Sequence, residues 1–463
     1  MSSFDARHPV QGLLGAFLAW KAFLFAIAVG SAVGPAYDTS STLITTGRAS
    51  YDESPLDLAT RLTRWDAMYF IQASRRGYLF EQEWAFGAGL PAVISALAKS
   101  SLLSSSRTED KTQLTSIALA TSGLEADGSL ESLIGICVAN ISHLLSVLVL
   151  YQLGMVVFKN SRMSFVAALL HILSPAGIFL SAPYNESPFA LLSFTGYLFF
   201  AKAVLGEKRS LAHDVSLVAS GMWFGFALTF RSNGILNGIP FAAELLRELS
   251  SPPTLDSVRR RVALVVGGSA VAIGFILPQV TAYRTFCYEA STTDLRPWCT
   301  RRLPSIYSFV QEHYWSVSLT LSIEASNIQV RNVGFLRYWT PPNIPLFILA
   351  APMLYLLGKS GLDILSKPDR LSTAVTNPRV LSNTIALLRS MASAQLILTV
   401  LAITTYHIQI ITRISSGYPI LYWWIANCLT DSKIARFGGN VVVFMVMYAG
   451  IQGALFASFL PPA

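Results

Sequence analysis

Charge is scarce in this chain. Only 13% of its 463 residues are Asp, Glu, Lys or Arg, whereas 52% are hydrophobic. A soluble domain carries roughly 25% charged residues, so a soluble protein is excluded on this balance. Four cysteines are present, and neither pair has a partner histidine at zinc-site spacing, which removes a structural zinc site. There is no Walker-type phosphate loop, no HExxH and no Rossmann glycine fingerprint, which removes the nucleotide-clamp and zinc-protease classes. Asp-x-Asp, with which many nucleotide-sugar transferases hold a metal, is also missing. Nucleic-acid binding is the class that 34 basic against 26 acidic residues would suggest. Here the positives fall in short loops between apolar runs, which the positive-inside bias of membrane proteins explains.

What is present is length and apolarity for about ten membrane crossings of roughly 20 residues each. Suitable runs fall at 10–34, 133–157, 163–181, 187–206, 213–230, 262–282, 343–358, 384–411, 414–429 and 438–460, with 235–249 short and amphipathic. The chain reads as an all-α polytopic membrane protein and as one membrane-embedded unit over 1–463. The first run carries Lys21 and is long for a signal-peptide core, so a retained signal-anchor helix is expected. Segment 86–103 is apolar but broken by Gly87, Gly89, Pro91 and Lys99, and 100–127 is a Ser/Thr-rich acidic insert. Lys159 and Arg162, Lys208 and Arg209, Arg259–Arg261, Lys359 to Arg379, and Lys433 with Arg436 occupy alternate loops. Placing these in the cytosol puts 35–132, 182–186, the Arg231 corner, 284–342 and the Arg413 corner on the other side, provided 86–103 enters without crossing and 235–249 returns the chain.

Four polar constellations border these runs. RLTRWDAMYFIQASRRGYLFEQEWAFGAGLP (61–91) mixes aromatics with Arg61, Arg64, Arg75, Arg76 and three carboxylates, as an interfacial amphipathic segment does. Asp66, between Trp65 and an apolar run, is expected to be partly desolvated, which suits a general base. In SPAGIFLSAPYNESPFALLSFTGYLFF (174–200), prolines force a turn at Tyr184-Asn185-Glu186. Glu186 then opens a helix, where simple stabilisation by the helix N-terminus is the plainer reading. FRSNGILNG and QIITRISSGYP each end an apolar run with an Arg, Arg231 and Arg413, suited to phosphate or to ordinary snorkelling. Cys137 and Cys428 lie in apolar runs as inert core residues. Cys287 and Cys299 share one polar loop, which would close a disulfide in an oxidising lumen; two separate thiols are the alternative.

Taken in order, RWDAMYF with the Glu81-Gln82 pair, SPAGIFLSAPYNES, FRSNG, RPWC with PSIYSFVQEHYW, VGFLRYWTPPNIP and QIITRISSGYPILYWW resemble the PIG-V mannosyltransferases. The resemblance runs from about residue 10 to the end. One departure is Gly87-Ala88, where the family usually has an aromatic and Pro. It implies a GT-C-type bundle of about 8–12 transmembrane helices in the endoplasmic reticulum membrane, with large lumenal loops at about 35–132 and 284–342. The implied activity is inverting transfer of the second, α-1,6-linked mannose from dolichyl-phosphate mannose to a GPI precursor glycolipid. The implied roles are Asp66 as base, Glu186 as its helper, and Arg231 and Arg413 at phosphate. Trp65, Arg64, Glu81, Tyr184, Asn185, Asn233 and Gln409 are implied in substrate binding. No cofactor is implied and a metal is not expected, although Glu81-Gln82-Glu83 with Asp66 could gather a hard cation. The resemblance leaves room for a small accessory membrane subunit. A secondary transporter would carry its acids mid-span, and a non-catalytic subunit would have lost them.

Overall fold

The computed structural model describes residues 8–31, 37–38, 40–46, 58–107, 128–206, 210–288, 296–314, 334–371 and 377–460. Most of the 100–127 insert, together with Lys208 and Arg209, lies outside the described residues, as do parts of both expected large loops. Among the described residues the chain is helical, with no strand. Eight helices are long and apolar enough to cross a membrane: Pro9–Gly30, Ser129–Phe158, Glu186–Leu205, Leu211–Phe230, Leu255–Tyr288, Pro341–Ser366, Pro378–Thr404 and Ala435–Ala457.

Two expected crossings are not continuous helices. The run at 163–181 is a 12-residue helix, Ser161–Ile172, followed by irregular chain and a short turn of 3-10 helix at Gly177–Leu180. The run at 414–429 is the 12-residue helix Pro419–Thr430, preceded by short turns of helix from Ile408 to Gly417. Pro175, Pro183 and Pro419 deny the backbone the N–H groups that a continuous helix would use. The 235–249 segment behaves alike: a 3-10 stretch, Ser232–Gly238, leads into the 11-residue helix Ile239–Leu249. Irregular backbone within a membrane bundle is tolerable where protein buries it or a cavity borders it. All three irregular stretches lie at the same end of the bundle.

Hydrogen bonds define the two ends. At one end the Asn185 amide donates to the carbonyls of Phe86 (2.5 Å) and Phe230 (2.7 Å), and the Tyr184 hydroxyl to that of Arg64 (3.1 Å). At the other, Asn383 donates to the Val204 carbonyl, Arg260 to the Ala203 carbonyl, and Trp424 Nε1 to Asp363. Lys159, Lys367 and Lys433, with Arg259–Arg261 in the first turns of the helix beginning at Leu255, fall at this second end. The expected membrane-skirting segment forms a 19-residue helix, Gly89–Arg107. It produces no net crossing, because Gly135, early in the next span, sits against Pro183, Ile94 and Ile71.

Close helix contact holds Leu211–Phe230 against the long helix beginning at Leu255. A Cβ on Gly221 would lie 2.2 Å from the Gly267 carbonyl oxygen, and one on Gly274 2.2 Å from that of Gly225. Small residues at membrane helix interfaces permit this approach. Cys428 is buried as expected, but Cys137 is exposed on the outer face of its helix.

Candidate active site

The backbone of Trp65 has a φ of 55°, unusual for a bulky residue and most often seen near functional sites. This turn sets Asp66 at the N-cap of helix Ala67–Arg76, yet its side chain makes no capping bond. An Asp at that position ordinarily accepts from the first helical N–H groups. Here its Oδ2 accepts instead from Arg413 Nη1 at 3.1 Å and Nη2 at 3.2 Å. Arg413 comes from the irregular chain after Pro378–Thr404, 347 residues away.

Glu186 is the first residue of its helix and its side chain is fully buried. It lies 3.4 Å from Arg413 Nε and is paired with Arg231 Nη2. Arg231 ends the Leu211–Phe230 helix as its C-cap. The centre therefore holds two carboxylates and two guanidiniums whose charges balance. Its two cations differ. Burial depresses the Arg231 pKa despite Glu186, whereas in Arg413 the same desolvation is outweighed by Glu186 and then Asp66, raising it. Both remain cations at neutral pH. Arg413 also lies over the Phe179 and Tyr184 rings, 4.8 and 5.3 Å from their centroids, a cation–π cradle that fixes its plane. Glu186 Oε2, Asn185 Oδ1 and Arg231 Nε are buried and have no hydrogen-bond partner among the described residues. Buried polar atoms are seldom left so without reason, and a ligand is one such reason.

Asp66, Arg231 and Arg413 border a cavity of about 470 Å³, whereas Glu186, paired to both arginines, is not part of its lining. Trp65, Asp66, Tyr184, Asn185, Arg231, Asn233, Gln409 and Arg413 all line it. Asn233 Nδ2 donates to the Tyr418 hydroxyl at 3.3 Å, and Gln409 Oε1 accepts from Tyr338 at 2.9 Å. Besides Glu186, which reaches the centre only through the arginines, two expected site residues stand elsewhere. Arg64 is fully buried beside the Phe459 ring, off the cavity lining, and its carbonyl accepts from the Tyr184 hydroxyl. Glu81 is also buried off the cavity, accepting from Trp298 Nε1 at 2.7 Å and from the Tyr314 hydroxyl at 3.2 Å. Gly87 explains the local departure at 87–88. Its φ is 87°, and a Cβ there would meet the Phe230 carbonyl oxygen at 2.5 Å.

Cavity residues missed in the sequence include Ser232, Tyr307, Gln311, Tyr406 and His407. Tyr307 and Gln311, four apart in an aromatic segment, carried an i, i+4 signal; His407 carried none. Burial lowers the His407 pKa against the pull of Asp66, so it is neutral at pH 7. Cys287 and Cys299 are joined by a disulfide, their Cα atoms 5.6 Å apart.

The model of the family described as Mannosyltransferase (PIG-V) matches residues 37–463. The chain belongs to the PIG-V mannosyltransferase family. It is 49% identical to "GPI mannosyltransferase 2" of Chaetomium globosum, over 98% of this chain and 97% of that one. With "GPI alpha-1,6-mannosyltransferase 2" of Rattus norvegicus it shares 30% identity over 83% of this chain and 76% of that one. Among solved structures, the Archaeoglobus fulgidus oligosaccharyltransferase aligns with 95% of this chain and 53% of its own, at 14% identity and a TM-score of 0.45, a distant likeness. A PIG-V mannosyltransferase is a glycosyltransferase, and such an enzyme needs a base for a sugar hydroxyl and positive charge for a leaving group. Both kinds of group border this cavity.

Proposed function

We propose that this PIG-V mannosyltransferase adds the second mannose of the GPI core, in α-1,6 linkage, to a mannosyl-glucosaminyl-phosphatidylinositol acceptor. The donor is dolichyl-phosphate mannose, and the reaction takes place at the lumenal face of the endoplasmic reticulum membrane. The names of its relatives support the GPI acceptor and the linkage. The observation that carries the chemistry is the meeting of Asp66, Arg413 and Arg231 at one cavity, with buried Glu186 paired to both arginines.

In the proposed step the acceptor hydroxyl oxygen forms a bond to the mannose anomeric carbon as its proton passes to Asp66. The bond from that carbon to the phosphate oxygen breaks, and its electron pair leaves with dolichyl phosphate. A phosphate leaving group needs no strong general acid. Inversion requires base and phosphate on opposite faces of the sugar, which bears on the two arginines. Arg413 is bonded to the base itself, so its role is to orient Asp66 and balance its charge. Arg231, bound to Glu186 through Nη2, is the better phosphate partner through its remaining N–H groups. The lumenal assignment draws support from the basic loops at the opposite end of the bundle and from the disulfide beside the cavity.

The test is transfer from radiolabelled dolichyl-phosphate mannose to the monomannosylated acceptor, in membranes from cells lacking their own enzyme and expressing this chain. The expected product loses its label to an α-1,6-specific mannosidase. Transfer absent with this acceptor, or a product of another linkage, overturns the reading.

A further inference from the structure

The Ile306–His313 helix packs apart from the main bundle core. Its Ile306, Phe309 and Val310 are buried in a small separate cluster built around Trp84, Trp298 and the disulfide. Tyr307, which also packs against that cluster, and Gln311, one turn on and so on one face, line the cavity. Three fastenings hold the helix there. The Cys287–Cys299 disulfide ties its approach to the end of the preceding long helix, and Ser305 donates to Gln279 at 2.6 Å. The third is Glu81, which takes hydrogen bonds from Trp298 before the helix and Tyr314 after it, with Arg296 3.9 Å away. Glu81 thus brackets the helix from the first large loop without lining the cavity.

The chemistry of that wall differs from the charged centre. An amide and a phenol supply both donors and acceptors, and an aromatic ring offers an apolar face. Burial pushes the Tyr307 phenol up to about 12, so it keeps its proton as a donor. We propose that Tyr307 and Gln311 contact a neutral pyranose and determine which sugar is accepted, and that Glu81 is a positioning residue holding their helix at the cavity. This rests on the reading of the cavity as a mannosyl-transfer centre. The pyranose is either the donor mannose or a sugar of the acceptor, and the experiment separates them.

The full-length chain in proteoliposomes is assayed for kcat and for KM of each substrate in turn. Tyr307→Phe and Gln311→Ala are each expected to raise KM for one substrate about 3- to 10-fold, the effect of losing a neutral hydrogen bond, with kcat within about two-fold. The substrate affected identifies the sugar. Glu81→Ala is expected to raise the same KM, and Glu81→Gln, which keeps an acceptor oxygen for Trp298, to restore it at least in part. Because Glu81 acts through the helix, the Glu81→Ala/Gln311→Ala double variant should fall short of the product of the single effects. Unchanged KM for both substrates in Tyr307→Phe and Gln311→Ala overturns the sugar contact. Multiplicative effects, or a fall in kcat alone, overturn the positioning role of Glu81. If Glu81→Ala is not recovered in membranes, the same cycle with Glu81→Gln decides it. Failure of the unaltered chain to transfer mannose sinks the underlying reading instead.

Discussion

Arg413 holds Asp66 by a single oxygen: both terminal guanidinium nitrogens fall on Oδ2, at 3.1 and 3.2 Å. The other carboxylate oxygen, Oδ1, is not used by Arg413. An Asp at a helix start would ordinarily cap the helix, and this one does not. The loss of that local bond is offset by a partner 347 residues distant. A carboxylate fixed in orientation through one oxygen is what a base aimed at an incoming hydroxyl requires.

Asp66→Asn is therefore expected to lower mannosyl transfer by about 10²–10⁴-fold, the usual cost of removing a general base. The protein should fold regardless. The Asp66 side chain is 32% exposed, and Arg413 keeps Glu186, so the stability change is expected to be under about 1 kcal/mol. Transfer at more than about a tenth of the unaltered rate rules out the base assignment.

Glu186→Gln should behave differently. Glu186 is the shared partner of Arg231 and Arg413 and is fully buried. Removing its charge leaves Arg231 buried without that carboxylate, and breaking a buried pair in this way costs about 3–5 kcal/mol. The expected outcome is a lower melting temperature of the detergent-purified protein together with reduced transfer. A melting temperature equal to that of Asp66→Asn would show that Glu186 does not hold the arginines in place.

Much of this was legible in the chain. The apolar runs located the spans, and the prolines of 174–200 marked the break before Glu186. The four charged residues of the centre each sit at an end of an apolar run, which is a local signal. Their mutual pairing was not legible, since nothing near Arg413 encodes that it meets Asp66 and not a phosphate. Glu81 illustrates the same limit: its neighbours in sequence suggest a loop acid at a site, whereas Trp298 and Tyr314, from a distant loop, make it an anchor. Residues 163–181 and 414–429 had the composition of spans, but composition cannot separate a continuous helix from a half-helix completed by irregular chain.

Topology is tested best at exposed positions. Asn185 and Glu186 are buried, so thiol reagents would miss cysteines there from either side. Ser232, at the cavity end, and Lys433, at the far end, are exposed. With Cys137 and Cys428 replaced and the disulfide retained, Ser232→Cys is expected to resist an impermeant reagent in sealed microsomes until the lumen is opened. Lys433→Cys should react at once. The reverse pattern would place the centre in the cytosol.

Transfer is expected to be independent of divalent metal. The acids able to oppose this were Glu81 and Glu83 acting with Asp66. Glu81 is occupied by Trp298 and Tyr314, and Glu83 by Arg76 together with the Leu79 and Phe80 backbone N–H groups. Among the described residues no group of three or more His, Cys, Asp or Glu side chains is gathered as metal ligands would be. Arg413 is paired with both Asp66 and Glu186, and Arg231 with Glu186, so a cation entering between the two carboxylates would have to displace Arg413 and would meet positive charge in doing so. For a leaving phosphate monoester, Arg231 supplies counter-charge of the kind a metal supplies to a leaving diphosphate. Washed membranes assayed in excess chelator should therefore keep most of their transfer activity. Loss of activity restored by Mn²⁺ or Mg²⁺ alone would overturn this and make Asp66 and Glu186 the first candidates for metal ligands.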